Sequence, residues 1–151
     1  MDIDTILKGE VLPPVRELSP LALAFLGDSV YELYVRATIL SRGNRPPSAL
    51  HKLAVGYVKA EAQSIAMHAI ADSLSEEEMR IYKRGRNTNI HTVPKHADMQ
   101  DYRQATGLEC LIGYLFATGQ NERLDEVLSQ AFAAIGRASL GGMHCETKKT
   151  H

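Results

Sequence analysis

The feature that most restricts the fold of this chain is the helical spacing of its apolar residues along nearly its whole length. Apolar residues recur every three or four positions, and no segment alternates apolar and polar residues convincingly over strand length. The chain has 151 residues, 44% of them hydrophobic, which is enough for one core. We therefore predict an all-α fold of about six helices, with one domain over residues 1–136 and a flexible tail over residues 137–151.

Local signals predict where several helices begin. Ser19 is followed by Pro20, which combines a capping hydroxyl with a proline in the first helical turn. Ser75 is followed by three glutamates, a capping box with acidic residues at the positive end of the helix dipole. A polar loop without helical periodicity, GRNTNIHTVPKHA, is expected between the fourth and fifth helices. The predicted helices cover about residues 2–8, 19–40, 46–73, 75–84, 98–117 and 122–135.

Two acidic residues stand in apolar surroundings on two of these helices. The second helix carries apolar stripes on opposite sides, which predicts burial on both sides, and Asp28 lies within one stripe. Glu109 shares a face of the fifth helix with apolar and small residues such as Ala105 and Gly113. Carboxylates seldom occupy such positions unless they are paired or bind a metal. A divalent cation between the two acids is one explanation, and structural salt bridges or helix caps are the other.

Two segments resemble motifs of the ribonuclease III family. LALAFLGDSVYELYVR (residues 21–36) resembles the family signature, and TGLECLIGYLF (residues 106–116) is similar to its second acidic helix. With KRGRN (residues 83–87) and VPKHADMQDYR (residues 93–103), the pattern is similar to the Mini-ribonuclease III branch, which has the catalytic domain but no double-stranded RNA-binding domain.

This resemblance implies a ribonuclease III-type endonuclease domain that hydrolyses double-stranded RNA with Mg²⁺, or with Mn²⁺ as a substitute. The implied products carry 5′-phosphate and 3′-hydroxyl ends, and the implied target is a precursor of the large-subunit (23S) ribosomal RNA. Asp28 and Glu109 match the family's catalytic acids and are expected to hold the metal. Larger members carry further acids where this chain has Ala24 and Thr106, so one versus two metal ions stays open.

A basic segment is the expected RNA-binding surface. The formal net charge is −1, so any attraction for a polyanion must be local, and no acid lies between Glu78 and Asp98. Basic side chains there would contact phosphates and 2′-hydroxyls of A-form RNA, although a solvated helix end would look similar. The loop histidines His91 and His96 are interpreted as solvated. The expected RNA contacts are Lys83, Arg84, Arg86, Asn87 and Lys95.

The remaining expectations concern partners and alternatives. A homodimer is expected through the second helix, around residues 20–40, because its two apolar sides need more cover than six helices supply. No signal peptide or membrane span is recognised, which predicts a cytoplasmic protein. Two other functions stay open: a non-catalytic RNA-binding protein of ribosome assembly, and an all-α nucleoside triphosphate pyrophosphohydrolase. The second needs paired acids at helical spacing on two helices, which this chain lacks.

Overall fold

The structure, a computed structural model, describes residues 1–89, 95 and 98–148, with side chains described up to residue 140. Most of the polar loop, including His91 and His96, lies outside the described residues. The all-α prediction is confirmed, since the described residues form seven α-helices and no strand. The helices are α1 (Ile3–Leu7), α2 (Pro20–Ser41), α3 (Pro47–Val58), α4 (Ala60–Ile70), α5 (Glu76–Arg86), α6 (Met99–Ala117) and α7 (Asn121–Lys148), with short 3₁₀ helices at Val15–Glu17 and Ala71–Ser73.

Both predicted capping signals are confirmed. The Ser19 hydroxyl accepts a hydrogen bond from the Ala22 amide at 3.1 Å and begins α2. Ser75 and Glu78 form the capping box that begins α5. Glu78 also accepts hydrogen bonds from Arg123 of α7, which holds the pKa of this buried carboxyl below its usual value. The same residue therefore caps one helix and ties it to another.

The predicted third helix is wrong as a single element, because the chain breaks it at Lys59. This residue is extended (φ −61°, ψ 150°) and separates α3 from α4. The break leaves carbonyl groups at the end of α3 without a donor in the helix. Two side chains, one from α2 and one from α4, donate hydrogen bonds to them. The Tyr31 hydroxyl donates to the Tyr57 carbonyl, and Gln63 Nε2 donates to the Val58 carbonyl at 2.9 Å. Neither glycine nor proline stands at Lys59 itself, and these two hydrogen bonds, one from α2 and one from the next turn of the chain, satisfy the carbonyls that the break frees.

The most deeply buried helix is α6. Every residue from Ala105 to Phe116 is buried except Glu109, and the helix packs against α2, α4 and α5. The prediction that the second helix is buried on both sides is wrong for the single chain. In α2 one side is buried, while Phe25 is 85% and Leu33 61% exposed on the other.

Two glycines bring α2 and α6 into backbone contact. A Cβ atom on Gly27 would lie 1.8 Å from the Glu109 carbonyl oxygen. A Cβ atom on Gly113 would lie 2.0 Å from the Leu23 carbonyl oxygen. Both distances are far below van der Waals contact, so the crossing is possible only because neither residue has a side chain. Since Gly27 precedes Asp28, this crossing places the two acid-bearing stretches side by side.

The last helix runs beyond its predicted end near Ile135, since α7 extends to Lys148. Burial nevertheless stops at Ile135, and the residues from Arg137 to Leu140 are exposed. Glycine costs a helix only about 1 kcal/mol per residue, so Gly141 and Gly142 do not end it. A flexible tail over residues 137–151 stays a prediction. Among the described helices, none combines the length and the apolar character needed to cross a bilayer.

Candidate catalytic site

The two acids singled out in the sequence line one cleft. The cleft has a volume of about 440 Å³ and lies between α2, the junction of α3 with α4, and the first half of α6. Its wall combines polar and apolar side chains. The residues that line it are Asp28, Val58, Ala60, Gln63, Tyr102, Ala105, Thr106 and Glu109.

Asp28 lies at the exposed side of this cleft. Helix α2 places it one residue after the Gly27 contact with α6, so its position follows from that crossing. Partial desolvation, and then the charge of Glu32, raise the pKa of the Asp28 carboxyl above its ordinary value. Glu32 itself is paired with Arg36 at 3.0 Å and does not line the cleft. No basic side chain lines the cleft, so Asp28 has no ion-pairing partner among the cleft residues.

Glu109 is the more buried of the two acids. It is the one incompletely buried residue between Ala105 and Phe116 of α6, and Gln63 Nε2 donates a hydrogen bond to its Oε1 at 3.1 Å. Burial, and then the charge of Asp28, raise the pKa of the Glu109 carboxyl to about 7, and the Gln63 hydrogen bond partly opposes this rise. The charge of Asp28 thus makes the ionised form of Glu109 less favourable.

A hard divalent cation fits this pair of acids. The two carboxylates share a cleft, and no cation-bearing side chain lines it, so a bound metal ion would offset both the repulsion and the desolvation. Within the described ranges, no cluster of three or more histidine, cysteine or acidic residues could hold a metal. A site of two carboxylates suits Mg²⁺, which keeps several of its waters and needs few protein ligands.

Ala24 and Thr106, the two positions expected to be acidic in larger proteins of the resembled family, carry no charge in this chain. Ala24 is buried in the contact between α2 and the core. Thr106 lines the cleft, but its hydroxyl donates to the Tyr102 carbonyl of the preceding turn at 3.0 Å. Neither residue supplies a carboxylate, so the cleft has two charged oxygen donors.

The predicted RNA-binding residues are only partly brought together. Lys83, Arg84 and Asn87 line a groove of about 740 Å³ along α5, together with Arg80. Arg86 does not line this groove, and its guanidinium carbon lies 5.5 Å from the centroid of the Tyr82 ring. Lys95 is exposed and does not line the groove either.

Sequence reasoning missed Gln63, whose side-chain amide donates a hydrogen bond to Glu109. The prediction searched for carboxylates on apolar helix faces, and a glutamine in a segment taken as one continuous helix gave no such signal. Its neighbours in the AEAQSIA stretch include Glu61 and Ser64, so its polar character gave no sign of the contact. The break at Lys59 and the packing of α4 on α6 bring it to Glu109.

Several known proteins are similar to this chain. Residues 21–120 match the model of the Ribonuclease III domain. A Mini-ribonuclease 3 of Thermoanaerobacter sp. (strain X514) is 50% identical over 80% of this chain and 85% of its own length. A Mini-ribonuclease 3 of Enterococcus faecalis is 44% identical over 82% of this chain and 96% of its own. A crystal structure of a Fusobacterium nucleatum protein is 34% identical, with a TM-score of 0.72 over 79% of this chain and 95% of that one.

Proposed function

Because the chain belongs to the ribonuclease III family, we propose that it hydrolyses double-stranded RNA with Mg²⁺ held by Asp28 and Glu109. That the protein is an endoribonuclease follows from the family and from its Mini-ribonuclease 3 relatives. The match covers most of the chain, which favours a nuclease over a non-catalytic RNA-binding protein or a pyrophosphohydrolase. The observation that carries the metal proposal is the placement of two like-charged carboxylates in one cleft.

In this proposal the chain's own residues hold the cation and exclude part of the solvent around it. Glu109 offers a carboxylate from the buried helix α6, and Asp28 offers one from the exposed side of the cleft. When bound, the metal polarises a phosphoryl oxygen of the RNA and lowers the pKa of a coordinated water. The cut leaves a 5′-phosphate and a 3′-hydroxyl. The proposed target is a precursor of 23S ribosomal RNA, which rests on the resemblance to the Mini-ribonuclease III branch.

The test is incubation of the protein with long double-stranded RNA in millimolar Mg²⁺, with and without excess chelator. Shorter duplex fragments with 5′-phosphate ends are expected only when Mg²⁺ is free, and Mn²⁺ should restore cutting. Single-stranded RNA of the same sequence serves as the matched substrate control. Cleavage that persists in chelator would contradict the metal proposal, and the absence of cleavage in either metal would contradict the activity.

We also propose that the protein pairs with a second copy through α2. In the single chain, four large apolar side chains of this helix are exposed: Leu21 at 42%, Phe25 at 85%, Leu33 at 61% and Leu40 at 53%. Several large apolar side chains exposed on one helix are typical of a protein interface. A symmetric pair would present two clefts to the two strands of a duplex.

Replacing Phe25 and Leu33 together by glutamate should convert the dimer to a monomer. Each copy would then bury two negative charges in an interface with no basic partner introduced for them. Leu140→Glu is the matched control, since Leu140 is also 62% exposed but lies on α7 beyond the buried core. Light scattering coupled to size exclusion gives the mass of each variant. A wild-type protein of monomer mass at micromolar concentration would refute the pairing.

The α5 groove is proposed to contact the RNA backbone. Replacing Lys83 and Arg84 by glutamine should weaken duplex binding for any sequence and lower the log–log salt slope by about 2 units, since each lost phosphate contact removes about 0.9. Arg86→Gln is the matched control on the same helix, because Arg86 packs on Tyr82 outside the groove. Duplex affinity is measured against salt for each variant without cleavage, in chelator. An unchanged slope in the double variant would place the RNA elsewhere.

A further inference from the structure

Gln63 is buried and lines the cleft, and the proposed function gives it no role. Its side chain is 2% exposed, and it comes from the first turns of α4, just after the break at Lys59. Its Nε2 donates to two acceptors at once: the Val58 carbonyl at 2.9 Å and Glu109 Oε1 at 3.1 Å. One amide therefore joins the end of α3, the start of α4 and the acid on α6.

The orientation of this amide follows from its surroundings. The reversed orientation would set Oε1 against a carbonyl oxygen and a carboxylate oxygen, which are both acceptors. The observed orientation satisfies both of them, but it leaves Gln63 Oε1 buried without a hydrogen-bond partner. A buried acceptor without a donor is unfavourable and calls for a compensating role. Here the compensation is the pair of hydrogen bonds that the amide nitrogen donates.

The consequence for Glu109 is that its two oxygens are no longer equivalent. Oε1 is held by Gln63, which restricts the rotation of the carboxylate and leaves Oε2 as the oxygen free of this contact. The chain also lacks acids at Ala24 and Thr106, so the cleft has few groups with which to orient a metal. In such a site the orientation of each remaining carboxylate has a larger effect on metal affinity.

We propose that Gln63 is a positioning residue for the metal site, which fixes the Glu109 carboxylate through its amide nitrogen so that the other oxygen is presented to the cation. The inference rests on the proposed function, because it takes Asp28 and Glu109 as the metal ligands. Residues that hydrogen-bond to metal ligands orient them, and their loss typically costs about 10- to 100-fold in metal affinity or activity.

The test measures Mn²⁺ binding by the RNA-free protein, from the electron paramagnetic resonance signal of the free ion. Gln63→Met keeps the length of the side chain and removes both hydrogen bonds, and it should weaken Mn²⁺ binding about tenfold or more. Gln104→Met is the matched control: Gln104 accepts a hydrogen bond from Ser64 at 2.8 Å, so it also joins α6 to α4 but contacts neither acid. The control should bind Mn²⁺ as the wild type does.

A second measurement, the cleavage rate as a function of Mg²⁺ concentration, separates positioning from a general loss of structure. The cleavage rate of Gln63→Met should approach the wild-type rate as Mg²⁺ is raised, because excess metal compensates for a poorly oriented ligand, and the KM for duplex RNA should not change. If Gln63→Met does not fold, Gln63→Asn replaces it, since an amide one methylene shorter cannot reach both acceptors.

The outcomes are distinguishable. Unchanged Mn²⁺ affinity in the Gln63 variant, together with lost binding in Asp28→Asn, would overturn the role of Gln63 and leave the proposed metal site intact. Wild-type Mn²⁺ binding in both Asp28→Asn and Glu109→Gln would overturn the metal site and the positioning role together. A loss in Gln104→Met equal to that in Gln63→Met would show that α4–α6 packing, and not the Glu109 contact, is responsible.

Discussion

Replacing Asp28 by asparagine, or Glu109 by glutamine, is expected to lower the rate of double-stranded RNA cleavage by at least about a thousandfold, or about 4 kcal/mol of activation free energy. Each change removes the charge of one of the two carboxylates in the cleft and keeps the size of the side chain. Initial cleavage rates at saturating Mg²⁺ give the comparison. Duplex affinity in chelator should stay near the wild-type value, because the cation is then absent from both proteins.

The control for this loss is the stability of the metal-free protein. Burial and Asp28 raise the pKa of Glu109 to about 7, above its value of about 4.5 in the unfolded chain. The stability associated with this group is therefore fully present below pH 4.5 and is lost as the pH rises through 7. Glutamine does not ionise, so Glu109→Gln should be more stable than the wild type at pH 8, by about 3 kcal/mol, and similar to it at pH 4.5.

Thermal unfolding in chelator at the two pH values checks this expectation. An inactive variant that is more stable than the wild type at pH 8 cannot owe its inactivity to unfolding. A variant that cleaves at nearly the wild-type rate would remove that residue from the metal site. A variant that is less stable at both pH values would show that the carboxylate has a structural partner instead.

Gly27→Ala should destabilise the protein by at least about 3 kcal/mol, at the upper end of the cost of overpacking a core. The added Cβ would lie 1.8 Å from the Glu109 carbonyl oxygen and 2.8 Å from the Gly113 amide nitrogen. Both are backbone atoms, so no side-chain rotation relieves the contact and α2 must move away from α6. Because Asp28 and Glu109 lie on either side of this crossing, the movement should also reduce Mn²⁺ binding in whatever fraction remains folded.

Gly56→Ala is the matched control, because Gly56 lies within α3 and an added Cβ would meet nothing within 4 Å. Alanine favours a helix over glycine, so this variant should gain about 0.5–1 kcal/mol. Denaturant unfolding of both variants and the wild type gives the free energies of unfolding. A stable Gly27→Ala protein with normal metal binding would mean that the two helices do not need backbone contact to form the cleft.

The features that the sequence predicted correctly depend on residues close together in the chain. Ser19 caps α2 through the amide three residues later, and Ser75 and Glu78 form a capping box within one turn. Helical spacing of apolar residues predicted the all-α class for the same reason, since it reports on one helix at a time. The motif around Asp28 and the one around Glu109 are likewise local, and they identified the family.

Tertiary structure alone decided how these local elements meet. No glycine or proline stands at the break at Lys59, and the Tyr57 carbonyl that it frees accepts a hydrogen bond from Tyr31 of α2, 26 positions away in the sequence. The apolar pattern of α2 could not show which of its sides the single chain covers, since periodicity does not distinguish a core from an interface. Gln63 reaches Glu109 across 46 positions of sequence. Such a contact depends on the packing of whole helices. The α2–α6 crossing is likewise a tertiary feature, because it is the absence of side chains at Gly27 and Gly113 that lets the two backbones meet.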